Sequence, residues 1–184
     1  FKWFRMSADQ GYAPAEWRVG DMYTRGEGGA KQDYSEARKW FVKSATHGFA
    51  QAQWQLGDMY NFGQGGVPQD YKTAMRWFRE AAEEGDTGSQ AMIGLMYQYG
   101  DGVLKNSAEA YFWVSLSESL GALPVGLSSD QCAKNLTAEQ KSVTDKRIVA
   151  WLHRTAEQGQ IGSQFAMGDI YQTGRGAKRD LVQA

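Results

Sequence analysis

Residues 49–85 read FAQAQWQLGDMYNFGQGGVPQDYKTAMRWFREAAEEG, and the pattern of this 37-residue stretch returns along the chain. Trp77 within it follows Trp40 by 37 residues, and Trp40 follows Trp3 by another 37. A fixed period in the thirties indicates a solenoid of one repeated supersecondary unit. Such units bury their apolar faces against their neighbours and bind other macromolecules along an extended surface.

Each unit of this period is predicted to form two helices joined by a turn. Ala52, Leu56 and Tyr60 stand four residues apart and so share one face of a helix. Gly63 is expected to end that helix, because glycine adopts the left-handed conformation of helix termini at little cost. Asp70 is a suitable N-cap for the second helix, whose apolar residues again follow three-four spacing. The predicted fold class is therefore all-α.

Glycine recurs at one position inside the first helix of the units. A glycine in a helix interior costs roughly 0.5–1 kcal/mol relative to alanine, so its recurrence predicts a tight crossing between two helices. Tyr60 and Trp77 are expected to fill the space that the small residues leave. The recurrent glycines are Gly20, Gly57, Gly94 and Gly168.

The period divides the chain into segments of a single repeat domain. After residue 121 the pattern breaks, since Pro124 and residues 128–130 are typical of loops. Thr137 and Gln140 then predict a capping box at the start of a long helix over residues 138–158. Both ends are expected to lie inside repeats of a longer array. The predicted segments are the end of a repeat (1–11), three repeats (12–48, 49–85 and 86–121), a degenerate repeat with the long helix (122–159) and the start of a further repeat (160–184).

The repeated motif resembles a known family. It reads Ala-x-x-x-Leu-Gly-x-x-Tyr-x-x-Gly-x-Gly and then Asp-Tyr-x-x-Ala-x-x-Trp-Phe-x-x-Ala-Ala-x-x-Gly, with Leu56, Gly57, Tyr60, Ala74 and Phe78 as landmarks. This closely resembles the Sel-one-like repeat (SLR) family, a relative of the tetratricopeptide repeats. The resemblance implies a right-handed α/α superhelical solenoid of helix-turn-helix repeats.

The resemblance also implies a function. Members of this family are adaptor and scaffold proteins, common in bacteria, that serve secretion, envelope assembly and effector–immunity pairs. They are generally not enzymes. We therefore expect a non-enzymatic module that binds a partner polypeptide on its concave face, with a toxin-neutralising immunity protein as a narrower version. The resemblance to this family favours an extracytoplasmic (periplasmic) location over a cytoplasmic one.

The composition argues against several other classes of protein. A net charge of −1 and a pI near 6.2 provide no basic surface for nucleic acid. The single Cys132 can form no disulfide within the chain, and His47 and His153 lack metal-ligand spacing. No apolar run reaches the length of a bilayer span. We predict no cofactor, no metal, no catalytic residue and no membrane insertion, and we favour a monomer.

The related tetratricopeptide fold implies that the first helices line the concave face. Aromatic and acidic side chains recur there, which predicts a groove for a segment with apolar and basic residues. Alternatively, the tryptophans pack between adjacent first helices and the aspartates are solvated or paired. The predicted partner-binding residues are the aromatic Trp17, Trp54 and Phe165, the acidic Asp21, Asp58 and Asp169, and the neighbouring Arg25, Asn61, Phe62, Leu95, Gln98 and Tyr99.

A second function remains open at this point. Aromatic rings beside carboxylates also suit sugars, so a carbohydrate or peptidoglycan-fragment binding module is the alternative. Quenching of the fluorescence of Trp17 and Trp54 by glycan fragments would separate it from peptide binding.

Overall fold

A computed structural model of the chain describes residues 1–122, 126–174 and 180. All regular elements in these ranges are helices, as predicted. The predicted loop at Pro124 and the end of the last predicted repeat, after residue 180, lie outside the described residues. The chain divides into two compact units, Phe1–Asp86 and Thr87–Ala184.

The first unit consists of helix pairs that follow one another along the chain. Helix α2 packs on α3 and α4 packs on α5, which gives two helix-turn-helix repeats. The contacts of α1 with α2 and of α3 with α4 join these repeats into one body. The helices are α1 (Lys2–Ala8), α2 (Ala13–Arg25), α3 (Tyr34–Thr46), α4 (Ala50–Phe62) and α5 (Tyr71–Glu83).

The second unit starts with another pair and then departs from the pattern. Helix α6 packs on α7, while α7 also contacts a short helix, α8, and a long one, α9; α10 packs on α9. The helices are α6 (Thr87–Tyr99), α7 (Ser107–Ser119), α8 (Ser129–Ala133), α9 (Ala138–Glu157) and α10 (Ile161–Thr173).

The predicted helix ends are confirmed where the cap chemistry is explicit. Gly63 follows α4 in the left-handed conformation, with φ of 65°. The Asp70 side chain accepts hydrogen bonds from the backbone N–H groups of Lys72 and Thr73 at the start of α5, at 3.0 and 3.2 Å. The capping box of Thr137 and Gln140 forms at the start of α9. Short polar side chains thus satisfy the first N–H groups of these helices, which lack intrahelical partners.

The expectation of a loop at residues 128–130 is wrong. Ser128 is the N-cap of α8, and its hydroxyl oxygen accepts from the Gln131 N–H while the Gln131 side chain accepts from the Ser128 N–H. This second capping box nucleates a helix of only five residues. Ser128 and Ser129 are typical of loops, but they also match the start of a capped helix.

The tight crossing is confirmed at Gly20, Gly57 and Gly94, but its partner is not the predicted one. A Cβ built at Gly57 would lie 2.5 Å from two carbons of the Phe78 ring, and one at Gly20 would lie 2.7 Å from the Phe41 ring. In these two repeats the second aromatic residue of the Trp-Phe pair, Phe41 or Phe78, therefore lies on the glycine. Trp77 instead packs half-buried against the edge of the core cluster of the unit. The reason is geometric: Trp77 and Phe78 are consecutive and point about 100° apart around α5.

The turn inside each repeat is held by a recurrent backbone bond. The N–H of Asp70 donates to the carbonyl of Tyr60 at 2.8 Å, and the N–H of Asp33 donates to that of Tyr23 at 2.9 Å. These bonds place the N-cap of each second helix beside the end of its first helix. They also set the position of the residues that end the first helices, where the predicted site lies.

Candidate partner-binding surface

Trp17 packs between the two repeats of the first unit. It is half-buried against the core cluster that includes Phe41 and Leu56, and its ring centroid lies 6.0 Å from that of Phe49, the residue before α4. This is the packing alternative considered for the tryptophans, and here it is the observed contact. Trp17 therefore joins adjacent repeats and is not available as a free aromatic anchor.

Asp21 follows the alternative in which the aspartates are paired, and its carboxylate is not free for a partner. Only 8% of the residue is exposed, and its carboxylate accepts from Arg18 Nη1 at 2.7 Å and from Arg25 Nε at 2.9 Å. The arginines stand at i−3 and i+4 on α2, so they reach the carboxylate from both sides. Asp21 and Arg25, both predicted to face a partner, thus neutralise each other within one helix.

Asp58 occupies the same register in α4 without those partners. Gln55 and Phe62 stand where α2 has its two arginines, and within the described residues no cation or hydrogen-bond donor pairs with the Asp58 carboxylate. The residue is half-buried, and this burial raises the pKa of Asp58 above its ordinary value. The repeat therefore holds one partly desolvated carboxylate whose charge nothing in the unit offsets.

Two aromatic residues lie on the same face of α4 as Asp58. Trp54 and Phe62 precede and follow Asp58 by four residues, which places the three side chains in one row along the helix. Trp54 is half-buried, whereas Phe62 is 56% exposed at the last position of the helix. We call Trp54, Asp58 and Phe62 the α4 row; an apolar, an acidic and an apolar group follow one another along it.

Asn61 was predicted to be exposed, and that prediction is wrong. Only 6% of the residue is exposed. Its backbone carbonyl accepts from the Gln69 side-chain amide at 2.7 Å, and the same amide donates to the Tyr71 hydroxyl at 3.0 Å. Asn61 therefore supports the turn.

The remaining predicted residues lie in the second unit. Tyr99 ends α6 in the register of Phe62 and is likewise exposed, at 57%. Leu95 and Gln98 on the same helix are half-buried. Phe165 and Asp169 are exposed on α10. The second unit therefore presents aromatic residues at the predicted positions. In α6, however, Leu95 stands at the position that Asp58 occupies in α4, so this helix lacks the carboxylate.

Comparison with known proteins decides the family. The sequence model of the Sel1 repeat matches residues 1–12, 13–49, 50–86, 87–121 and 161–184. The chain belongs to the Sel1 repeat family. Sel1 repeat proteins are generally scaffolds for protein interactions and are typically not catalytic. A search of curated proteins found no match.

Two solved structures share the fold of this chain. One is a protective antigen of uropathogenic Escherichia coli with an SLR fold, 35% identical over 99% of this chain at a TM-score of 0.66. The chain spans 38% of that protein's length. The other is a Sel1 repeat protein from Oxalobacter formigenes, 24% identical over 93% of this chain and 69% of that one, at a TM-score of 0.54. The match to the Sel1 repeat model confirms the predicted family, and the two likenesses confirm the all-α repeat-solenoid fold class.

One polar cluster was not found from the sequence. Residues 122–160 fall outside the matched Sel1 repeats and contain α8 and α9. Asp145 of α9 accepts from the Tyr111 hydroxyl of α7 at 2.7 Å and from Lys141 Nζ at 2.7 Å. The i, i+4 spacing of Lys141 and Asp145 was visible in the sequence, but no repeat register relates either residue to Tyr111.

In the part of the chain that the structure describes, no helix combines the length and the apolarity that a bilayer crossing requires.

Proposed function

We propose that this Sel1 repeat chain is a scaffold that binds a partner polypeptide along the α4 row. A basic side chain of the partner pairs with the Asp58 carboxylate, and apolar side chains on either side of it contact Trp54 and Phe62. The observation that carries the proposal is the unpaired, half-buried carboxylate of Asp58. Removing water from a carboxylate is unfavourable unless a partner restores its hydrogen bonds.

The neighbouring repeat shows what such a partner does. In α2 two arginines satisfy the equivalent carboxylate of Asp21. In α4 a guanidinium or ammonium group from another chain can take their place. A hydrogen bond to a charged group contributes about 1.5–3 kcal/mol, and a buried aromatic contact adds to it. The row therefore has the composition of a small binding hot spot with one charge at its centre.

A peptide selection tests the proposal directly. A random peptide library displayed on phage is selected on the wild-type chain and, in parallel, on Asp58→Lys and Glu80→Lys. Glu80 is exposed on α5, so Glu80→Lys makes the same change of charge away from the α4 row. We expect peptides with Lys or Arg next to a large apolar residue to be enriched on the wild type and on Glu80→Lys only. Equal enrichment on all three baits would contradict the proposal.

The partner's identity then distinguishes the cellular roles that the family suggests. We propose secretion, envelope assembly or toxin neutralisation as the setting, each with a polypeptide partner of a different kind. Quenching of Trp54 fluorescence by peptidoglycan fragments, combined with no peptide enrichment, would instead support the carbohydrate-binding alternative.

A further inference from the structure

A polar cavity lies in the second unit, apart from the α4 row. A cavity of about 220 Å³ lies among α7, α8, α9 and α10. Tyr111, Ser115 and Glu118 of α7, Asp130 of α8 and Lys141 and Asp145 of α9 are among its lining residues. The cavity depends on α8 and α9, the helices that lie outside the matched Sel1 repeats.

The polar groups on one side of this cavity already have hydrogen-bond partners within the chain. The Tyr111 hydroxyl and Lys141 Nζ each donate to a different oxygen of the Asp145 carboxylate, both at 2.7 Å. The Lys141 ammonium also lies 5.2 Å from the centroid of the Tyr111 ring. The positive charge of Lys141 is therefore paired with Asp145, and this side of the cavity offers no cation to a ligand.

The other side has unused acceptors. The Ser115 residue is 9% exposed, and its buried Oγ has no hydrogen-bond partner within the described ranges. Glu118 accepts from the Ser129 N–H through Oε1 only, at 3.0 Å, and Asp130 makes no ion pair among the described residues. Buried polar groups nearly always have a hydrogen-bond partner, so the Ser115 hydroxyl is a group that a ligand entering the cavity can pair with.

We propose that this cavity binds an ammonium or guanidinium group. Three carboxylates line it against one ammonium, so the lining favours a cation. The N–H groups of such a cation can donate to Ser115 Oγ and to the free oxygen of Glu118, and a guanidinium carries five donors. The volume suits a group the size of one side chain, since sites for larger ligands run from about 300 Å³ upward. The described carboxylates form no group suited to a metal ion.

The same chemistry has two sources, a basic side chain of a polypeptide and a small free amine. The test is a titration of the ¹⁵N-labelled chain followed by NMR, with N-acetyl-arginine amide and putrescine as the two probes. N-acetyl-citrulline amide is the matched control, because it keeps the shape of arginine and removes the charge. We expect saturable shifts of the Ser115 and Ser129 amide signals with at least one cationic probe. The tighter probe identifies the source.

Variants locate the binding. Glu118→Gln keeps an oxygen for the Ser129 N–H but removes the charge, and it should weaken binding about tenfold. Glu139→Gln, on an exposed position of α9 that does not line the cavity, should leave affinity unchanged. Citrulline amide that binds as tightly as arginine amide, or no saturable shift with either cationic probe, would overturn the proposal. Neither result bears on the α4 row, which lies in the other unit.

Discussion

Gly57 lies directly against the ring of Phe78, so close that a Cβ on Gly57 would be 2.5 Å from two ring carbons. Phe78 is fully buried and cannot move aside without displacing the core. The same relationship joins Gly20 to Phe41 in the preceding repeat. The glycine of the repeat motif is thus required by the aromatic residue of the next helix, which sits 21 residues later in both repeats.

Gly57→Ala should destabilise the chain by about 1–3 kcal/mol, the usual range for overpacking a core. Urea unfolding followed by circular dichroism measures the change. Gly162→Ala is the matched control, because the nearest atom to its added Cβ is the Leu120 side chain at 3.4 Å. That variant should be neutral or slightly stabilising, since alanine favours helix. Equal destabilisation by both variants would contradict the Gly57–Phe78 contact.

His47→Ala should destabilise the first unit by about 1–3 kcal/mol, the cost of leaving a buried polar group unpaired. The Glu16 carboxylate is buried, and its partner is His47 Nδ1 at 2.7 Å. His153→Ala serves as control, because His153 and Glu157 form an exposed pair at 3.5 Å. Exposed pairs contribute about 0–1 kcal/mol. Thermal unfolding should therefore show a larger loss of stability for His47→Ala than for His153→Ala. A larger loss for His153→Ala would refute the stabilising role of the Glu16–His47 contact.

Asp58→Asn should raise the melting temperature near pH 7 and leave it unchanged near pH 3. Burial raises the pKa of Asp58, so the unfolded chain releases this proton at a lower pH than the folded chain does. Ionisation of Asp58 therefore lowers the free energy of unfolding as pH rises above the pKa of the unfolded state. The asparagine variant removes this loss.

Asp21→Asn is the control for that experiment. It breaks the contacts with Arg18 and Arg25 and should lower the free energy of unfolding near pH 7 by about 1 kcal/mol. The two asparagine variants should thus act in opposite directions at neutral pH. A stabilising Asp21→Asn, or a destabilising Asp58→Asn, would show that the two carboxylates are not in the environments described.

Cys132 should react slowly with thiol reagents while the chain is folded. Burial, and secondly the negative charge of Glu118, raise the pKa of the Cys132 thiol to about 11. Because only the thiolate is nucleophilic, about one thiol in a thousand is reactive near pH 8. Reaction with a chromogenic disulfide should accelerate more than about tenfold in denaturant. An unchanged rate would mean that the thiol is as accessible and as readily ionised in the folded chain as in the unfolded one.

Periodicity and end signals were sufficient to predict the helices of the repeats and the long helix α9, but not the short helix α8. Caps such as Asp70 and Thr137 act within a few residues, so local sequence determines them. The crossing of helices at the glycines was also predictable. Which aromatic residue lies on Gly57 was not, because consecutive residues point in different directions and only the crossing geometry selects Phe78 over Trp77.

The partner-binding surface and the polar cluster at Asp145 were predictable from the sequence only in part. The pairing of Asp21 could have been read from Arg18 and Arg25 at i−3 and i+4, and the absence of both from α4 is what distinguishes Asp58. The contact of Tyr111 with Asp145 joins residues 34 positions apart. A contact at that separation depends on how α9 packs, which follows no repeat register.

Site-specific photocrosslinking in a lysate of the organism that encodes the chain tests the central claim most directly. A photoreactive amino acid is placed at Phe62, the exposed end of the α4 row, or at Lys72, an exposed position on α5 of the same repeat. We expect position 62 to form a covalent adduct with one partner polypeptide and position 72 to form none. The adduct at position 62 should be lost when Asp58→Lys is added. An adduct from position 72 alone, or one from position 62 that survives Asp58→Lys, would contradict the central claim.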